Sequence, residues 1–118
     1  MPIKPTSRSH VGIKASFVVV WEFRIRATKR RAFERAYGPD GDWAMFFQKG
    51  KGYLGTELIR DEQDAGRYLT LDFWKSQKHY ERFKRQNRKI YQLIDQRCES
   101  LTANESEIGQ FSRPIRRS

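Results

Sequence analysis

The chain has 118 residues, one cysteine, and 24 lysines and arginines against 14 acids, a formal charge of +10. That length suits one compact domain that buries roughly two-thirds of its unfolded surface without a disulfide or metal staple. Lone Cys98 excludes an internal disulfide framework and a Cys-rich zinc site, and it fits a reducing, cytoplasmic setting.

Residues 1–14 carry Lys4, Arg8 and Lys14 without an acid, and residues 112–118 carry Arg113, Arg116 and Arg117 without one. Both ends contain Pro and Ser and show no periodicity, so they are expected as disordered basic tails around one domain over 15–111. They hold +6 of the +10 and leave +4 for the body. Residues 1–14 also lack the hydrophobic segment of a secretory signal. The longest apolar run, Phe17 to Trp21, has five residues, and a membrane span needs roughly 20.

Phe17 to Arg26 alternates: Phe17, Val19, Trp21, Phe23 and Ile25 point one way, with Val18, Val20, Glu22, Arg24 and Arg26 opposite. This predicts a strand. Thr28 reads as the N-cap of a short helix whose apolar stripe is Phe33, Ala36 and Tyr37. Gly38-Pro39-Asp40-Gly41 breaks it, and Trp43, Phe46 and Phe47 give a second short helix ending at Gly50-Lys51-Gly52. Tyr53 to Arg60 and Arg67 to Trp74 predict a hairpin around the polar turn Asp61–Gly66.

Ser76 caps the longest predicted element. Tyr80, Phe83, Asn87, Ile90, Tyr91, Ile94, Cys98 and Leu101 recur at helical steps over roughly six turns. Glu105 to Phe111 predicts a last strand. The order βαββαβ specifies an α+β, ferredoxin-like fold with an antiparallel sheet and helices on one face. Strand one is apolar on both faces, and strand three places Leu69, Leu71 and Phe73 opposite Tyr68 and Trp74. One helical layer leaves an apolar sheet face open, which predicts a homodimer through that face.

The chemistry-bearing residues are few. His10 and His79 stand apart, and no metal cluster, nucleophile triad, phosphate loop or dinucleotide fingerprint is present. Tyr68, Thr70, Asp72 and Trp74 share one face of strand three, and an acid among aromatics can have its pKa raised toward that of a useful base. The competing reading pairs Asp72 with a cation of the long helix or leaves it in solvent. Asn87, polar on an apolar stripe, suits either a pocket or a bond to backbone. Trp43 and Cys98 read as core, while Glu22 and Glu57 take no assigned role. Seven cations over Lys75–Lys89 against Glu81 read as a solvated helix face. Lys51-Gly52-Tyr53 opens like an RNA-binding strand, but Gly55 and Leu58 follow where stacking aromatics are needed, which disfavours nucleic acid.

The segment Phe17–Ile25, the stretch Asp40-Gly41-Asp42-Trp43, the run Gly52-Tyr53-Leu54-Gly55-Thr56-Glu57-Leu58, and above all Tyr68-Leu69-Thr70-Leu71-Asp72-Phe73-Trp74-Lys75-Ser76 resemble the antibiotic biosynthesis monooxygenase family. The resemblance covers about residues 17–111. It implies a dimeric α+β barrel of two sheets packed face to face, with a cleft between sheet and helices in each subunit. Members oxygenate phenolic, anthrone or quinol-like substrates without metal or flavin; others degrade haem. In the cofactor-free chemistry a base takes a substrate proton and the resulting anion reduces O₂.

Carried onto this chain, the resemblance makes Asp72 the base or polar anchor and Trp74 a stacking wall. Trp21, Phe23, Thr70, Tyr80, Phe83 and Asn87 become the ligand pocket. Phe23 stands where haem-degrading members have Asn, and Phe83-Lys84 where they have a haem-ligating His, so haem degradation is disfavoured. Thr70 stands where some oxygenating members have Asn. The expectation is a cofactor-independent monooxygenase-like enzyme acting on a small aromatic, with no cofactor. The alternative is a nonenzymatic module that binds a small apolar ligand on the same scaffold.

Overall fold

A computed structural model describes residues 15–114. β1 spans Phe17–Arg24 and leads through a 3₁₀ turn, Ala27–Lys29, into α1, Arg30–Tyr37. Then come α2 (Asp42–Phe47), β2 (Tyr53–Asp61), β3 (Asp64–Trp74), α3 (Gln77–Gln86), α4 (Arg88–Cys98), a 3₁₀ turn and β4 (Asn104–Ser112). The four strands form one sheet in the order β2-β3-β1-β4, every neighbour antiparallel. This is the expected ferredoxin-like α+β architecture. No helix among the described residues is long and apolar enough to cross a membrane.

Local differences from the sequence reading have physical causes. Thr28 lies inside the 3₁₀ turn, and the residue before α1 is Lys29, without a side-chain cap. β3 begins at Asp64 because the Asp61 carboxylate accepts the Gln63 amide at 2.7 Å, closing the hairpin within two residues. Ser76 does cap α3, its hydroxyl accepting the His79 amide at 3.2 Å. The long helix is two helices. At Asn87 the backbone leaves the helical region (φ −125°, ψ 30°), and the side-chain amide donates to the Phe83 carbonyl at 2.9 Å. Asparagine competes in this way with the helical ladder. Ile90, expected on the buried stripe, is 41% exposed; Ile94 and Cys98 carry the burial of α4.

The helices cover one sheet face. There Phe17, Val19 and Phe23 of β1 oppose Trp74, Asp72 and Tyr68 of β3, and Phe33, Trp43, Phe46, Phe47, Tyr80 and Phe83 close over them from α1, α2 and α3. On the other face Val18, Leu54 and Leu71 pack around Ala15 and Phe73. Its margins leave Ile59 47% and Phe111 49% exposed. Arg67 ties the hairpin end together by bonding Glu22 and Asp61. Of the segments expected as tails, residues 1–14 and 115–118 lie outside the described residues; Ser112 ends β4, and the Arg113 amide donates to the Ser16 carbonyl at 2.9 Å.

Candidate active site

A cleft open on one side to solvent, with about 50 Å³ of enclosed space, lies between the sheet and the helices. Strand alternation builds its floor: Trp21 and Phe23 from β1, Thr56 from β2, Thr70 and Asp72 from β3. Residues two apart on one strand face the same way. Antiparallel pairing sets Trp21 beside Thr70, and Asp72 between Val19 and Thr56. The roof is aromatic. Tyr37 lies 4.9 Å from Phe23 between ring centroids, and Trp43 lies 5.0 Å from Tyr91 and 5.9 Å from Phe47. Asp95 and Glu105 complete the wall.

Asp72 is the chemically distinctive residue. It is 8% exposed, and none of the ion pairs among the described residues involves it. The competing expectation, a cation from the long helix, is thus not met. Its partner is the Thr56 hydroxyl, which donates to Oδ1 at 2.6 Å. The Thr56 oxygen lies 2.6 Å from the Tyr53 hydroxyl. Because Thr56 spends its only proton on Asp72, Tyr53 is the donor in that second bond. Burial pushes the Asp72 carboxyl from 3.8 up to about 6, with the Thr56 bond opposing the shift. Loss of solvation also raises Tyr53 and Tyr91 above the ordinary phenol range. Glu105 is raised by desolvation and then by the Asp95 charge beside it. The cleft thus holds a carboxylate near the midpoint of its titration at mildly acidic pH, within reach of flat aromatic walls.

The structure gathers half of the expected site residues on this cleft: Asp72, Trp21, Phe23 and Thr70. The others lie elsewhere. Trp74 is 0% exposed and enclosed by Tyr53, Phe83, Tyr80 and Phe47 at 5.3–5.8 Å, so its ring has no cleft surface to offer. Its indole nitrogen has no acceptor among the described residues. Tyr80 and Phe83, expected in the pocket, meet Trp74 from α3 inside the core. Asn87 is the backbone-bonded residue at the helix break. Tyr53 also packs inward, on Trp74 and on Phe47 at 5.6 Å, so it cannot serve as a stacking platform for RNA bases.

Sequence reasoning missed Thr56, Tyr37, Tyr91, Asp95 and Glu105. Thr56 alternates with Leu58 on a strand already recognised, so strand pairing was the missing information. Tyr37 and Tyr91 read from the sequence only as residues of apolar helical stripes.

Comparison with known proteins agrees with this architecture. The model of the antibiotic biosynthesis monooxygenase family matches residues 16–88. No curated protein matches the sequence. Among solved structures, SnoaB, a cofactor-independent oxygenase from Streptomyces nogalater, is 17% identical with a TM-score of 0.62, over 86% of this chain and 96% of its own. Proteins from Deinococcus radiodurans and Bordetella bronchiseptica that carry the family's name both give a TM-score of 0.65, at 12% and 14% identity. Each match covers 86% of this chain, with 96% and 99% of the respective relatives. At such identities these likenesses speak to the fold. The family match spans more than half of the sequence, and on that ground the chain belongs to the antibiotic biosynthesis monooxygenase family.

Proposed function

We propose that the protein is a cofactor-independent monooxygenase of small aromatics of phenol, quinol or anthrone type, working as a dimer joined through the open sheet face. The observation that carries the proposal is a buried carboxylate without a cation, poised near pH 6 on the floor of an aromatic cleft. A base with that affinity for protons is ionised at neutral pH and still basic enough to accept a substrate proton. Flat walls from Trp43, Phe23 and Tyr91 hold a ring by stacking and exclude water from the anion that forms.

For an anthrone-type methylene the reaction balances without an external reductant. Asp72 accepts a C–H proton, and the carbanion passes one electron to O₂. The radical pair closes a C–O bond, and Asp72 returns its proton to the peroxide. Loss of the second C–H proton with O–O cleavage leaves a ketone and one water. The likeness to SnoaB supports the cofactor-free form of this reading. Dimerisation is supported by the partly open apolar strip around Val18, Leu54 and Leu71.

Oxygen uptake by the purified protein with an anthrone or hydroquinone tests the proposal. The wild type should consume O₂, with a rate that rises through about pH 6, and Asp72→Asn should abolish it. Equal rates in the two proteins would remove Asp72 from the chemistry. Saturable ligand binding without oxygen uptake would make the cleft a sequestering site instead.

A further inference from the structure

A second recess lies away from the cleft, where the loop Gly50-Lys51-Gly52 meets α3. About 390 Å³ of space opens between walls that include Lys49, Lys51, His79 and Arg82, together with Gln86 and Asn87. No carboxylate lines it. The ion pairs among the described residues use Arg24, Arg60, Arg67 and Arg97, so none takes up a cation of this recess.

The recess is built rather than incidental. Gly52 has φ +88°, and a Cβ there would lie 2.5 Å from the His79 ring. A Cβ at Gly50 would lie 2.5 Å from the Phe83 ring. Only glycines let the loop sit this close to α3. The Lys75 amide donates to the Gly52 carbonyl and the Gly50 amide to the Phe47 carbonyl, both at 2.8 Å. The His79 ring is fixed by its Nδ1, 2.7 Å from the Ser76 hydroxyl, which leaves its other nitrogen free. Lys51 from the loop, Lys49 just before it and Arg82 from the helix therefore line one opening held by backbone bonds.

We propose that this recess binds a phosphoryl anion of the pyrophosphate class. Several cations converging from two elements call for a ligand with several charged oxygens spread in three dimensions. A phosphoryl group supplies these, while a single carboxylate offers two oxygens in one plane.

Titration calorimetry of the full chain with sodium pyrophosphate, at low and at physiological ionic strength, tests the proposal. One equivalent should bind in both. Lys51→Glu/Arg82→Glu should weaken binding by about tenfold or more. Arg31→Glu/Arg35→Glu, with the same charge change on α1, should weaken it by less than about threefold. Circular dichroism checks the fold of each variant, and Lys51→Gln/Arg82→Gln provides a milder pair. Absence of binding, or equal losses in the two glutamate pairs, overturns the proposal. So does equal affinity for citrate. Binding of a short RNA but not of pyrophosphate overturns it too, and would assign the surface to a nucleic-acid backbone.

Discussion

The two faces of the sheet are built from the same strands and carry similar apolar side chains. On the covered face Phe17, Val19, Phe23, Tyr68 and Trp74 are buried by α1, α2 and α3. On the open face Val18, Leu54 and Leu71 remain half-exposed around Phe73. Buried polar groups are confined to one of the two. The buried polar side chains Thr56, Thr70 and Asp72 all sit on the covered face, beneath aromatic rings. A domain this small gains most of its stability from apolar burial, so a buried ionisable group there works against the fold. The face richest in packing therefore also bears the largest electrostatic cost, and chemistry explains that placement better than stability does. The open face has no buried polar group among the described residues: its Glu22–Arg67 ion pair is partly exposed, beside a hydrophobic strip that association can bury.

This contrast can be broken experimentally, most forcefully at Trp74. Trp74→Ala should lower unfolding stability by about 3–5 kcal/mol, read from urea denaturation. Leu71→Ala on the open face should cost clearly less in a dilute, monomeric sample. Equal losses would mean that the two faces are equally buried.

Asp72→Asn should have the opposite sign. The folded-state pKa of about 6 lies above the ordinary 3.8, so folding favours the protonated form. That contribution is complete below about pH 4 and is lost as pH rises through 6. At pH 8 the buried charge costs roughly 3 kcal/mol. Asp72→Asn should raise stability by up to that amount at pH 8, by little at pH 4, and abolish oxygen uptake. A uniform loss of stability across pH would recast Asp72 as a structural residue.

On the open face, Leu71→Glu should weaken self-association by roughly 2 kcal/mol or more, because docking would bury an unpaired carboxylate. Light scattering should then report a mass moving from twice the 14.1 kDa chain mass toward the single value. A wild type that is already monomeric at micromolar concentration would defeat the dimer.

The smallest effect belongs to Tyr53→Phe. It removes the donor that polarises Thr56 and should cost about 1 kcal/mol. With a weaker Thr56 bond the Asp72 carboxylate is less well stabilised, so the midpoint of the pH–rate profile should move upward. An unmoved profile would confine Tyr53 to packing.

Much of the covered face was legible in the chain because alternation and helical spacing are local signals. Phe17–Ile25 announced β1, and Ser76 announced the start of α3. The break at Asn87 was hidden because the apolar stripe continues from Phe83 to Tyr91 and Ile94 in phase on both sides, while the competition of one asparagine amide for a carbonyl leaves no trace in the period. Thr56 was hidden for another reason. β2 pairs with β3 through an irregularity beside the turn, between Arg60 and Asp61, so a simple count of residues from the turn does not lead to Asp72. Trp74 was readable as an important residue but not as an inaccessible one. Tyr53 and Phe47, which wrap it, come from separate elements.

The break at Asn87 has a kinetic consequence. α4 is secured by the side chains of Ile94 and Cys98 and by partial burial of Tyr91, whereas α3 is pinned by Tyr80 and Phe83 in the main core. With the helical ladder interrupted between them, α4 can lift as a unit while α3 and the sheet stay in place. It carries Tyr91 and Asp95, two of the cleft walls, so its amides should exchange with deuterium before those of α3. The same excursion would widen the opening through which a rigid aromatic enters the cleft.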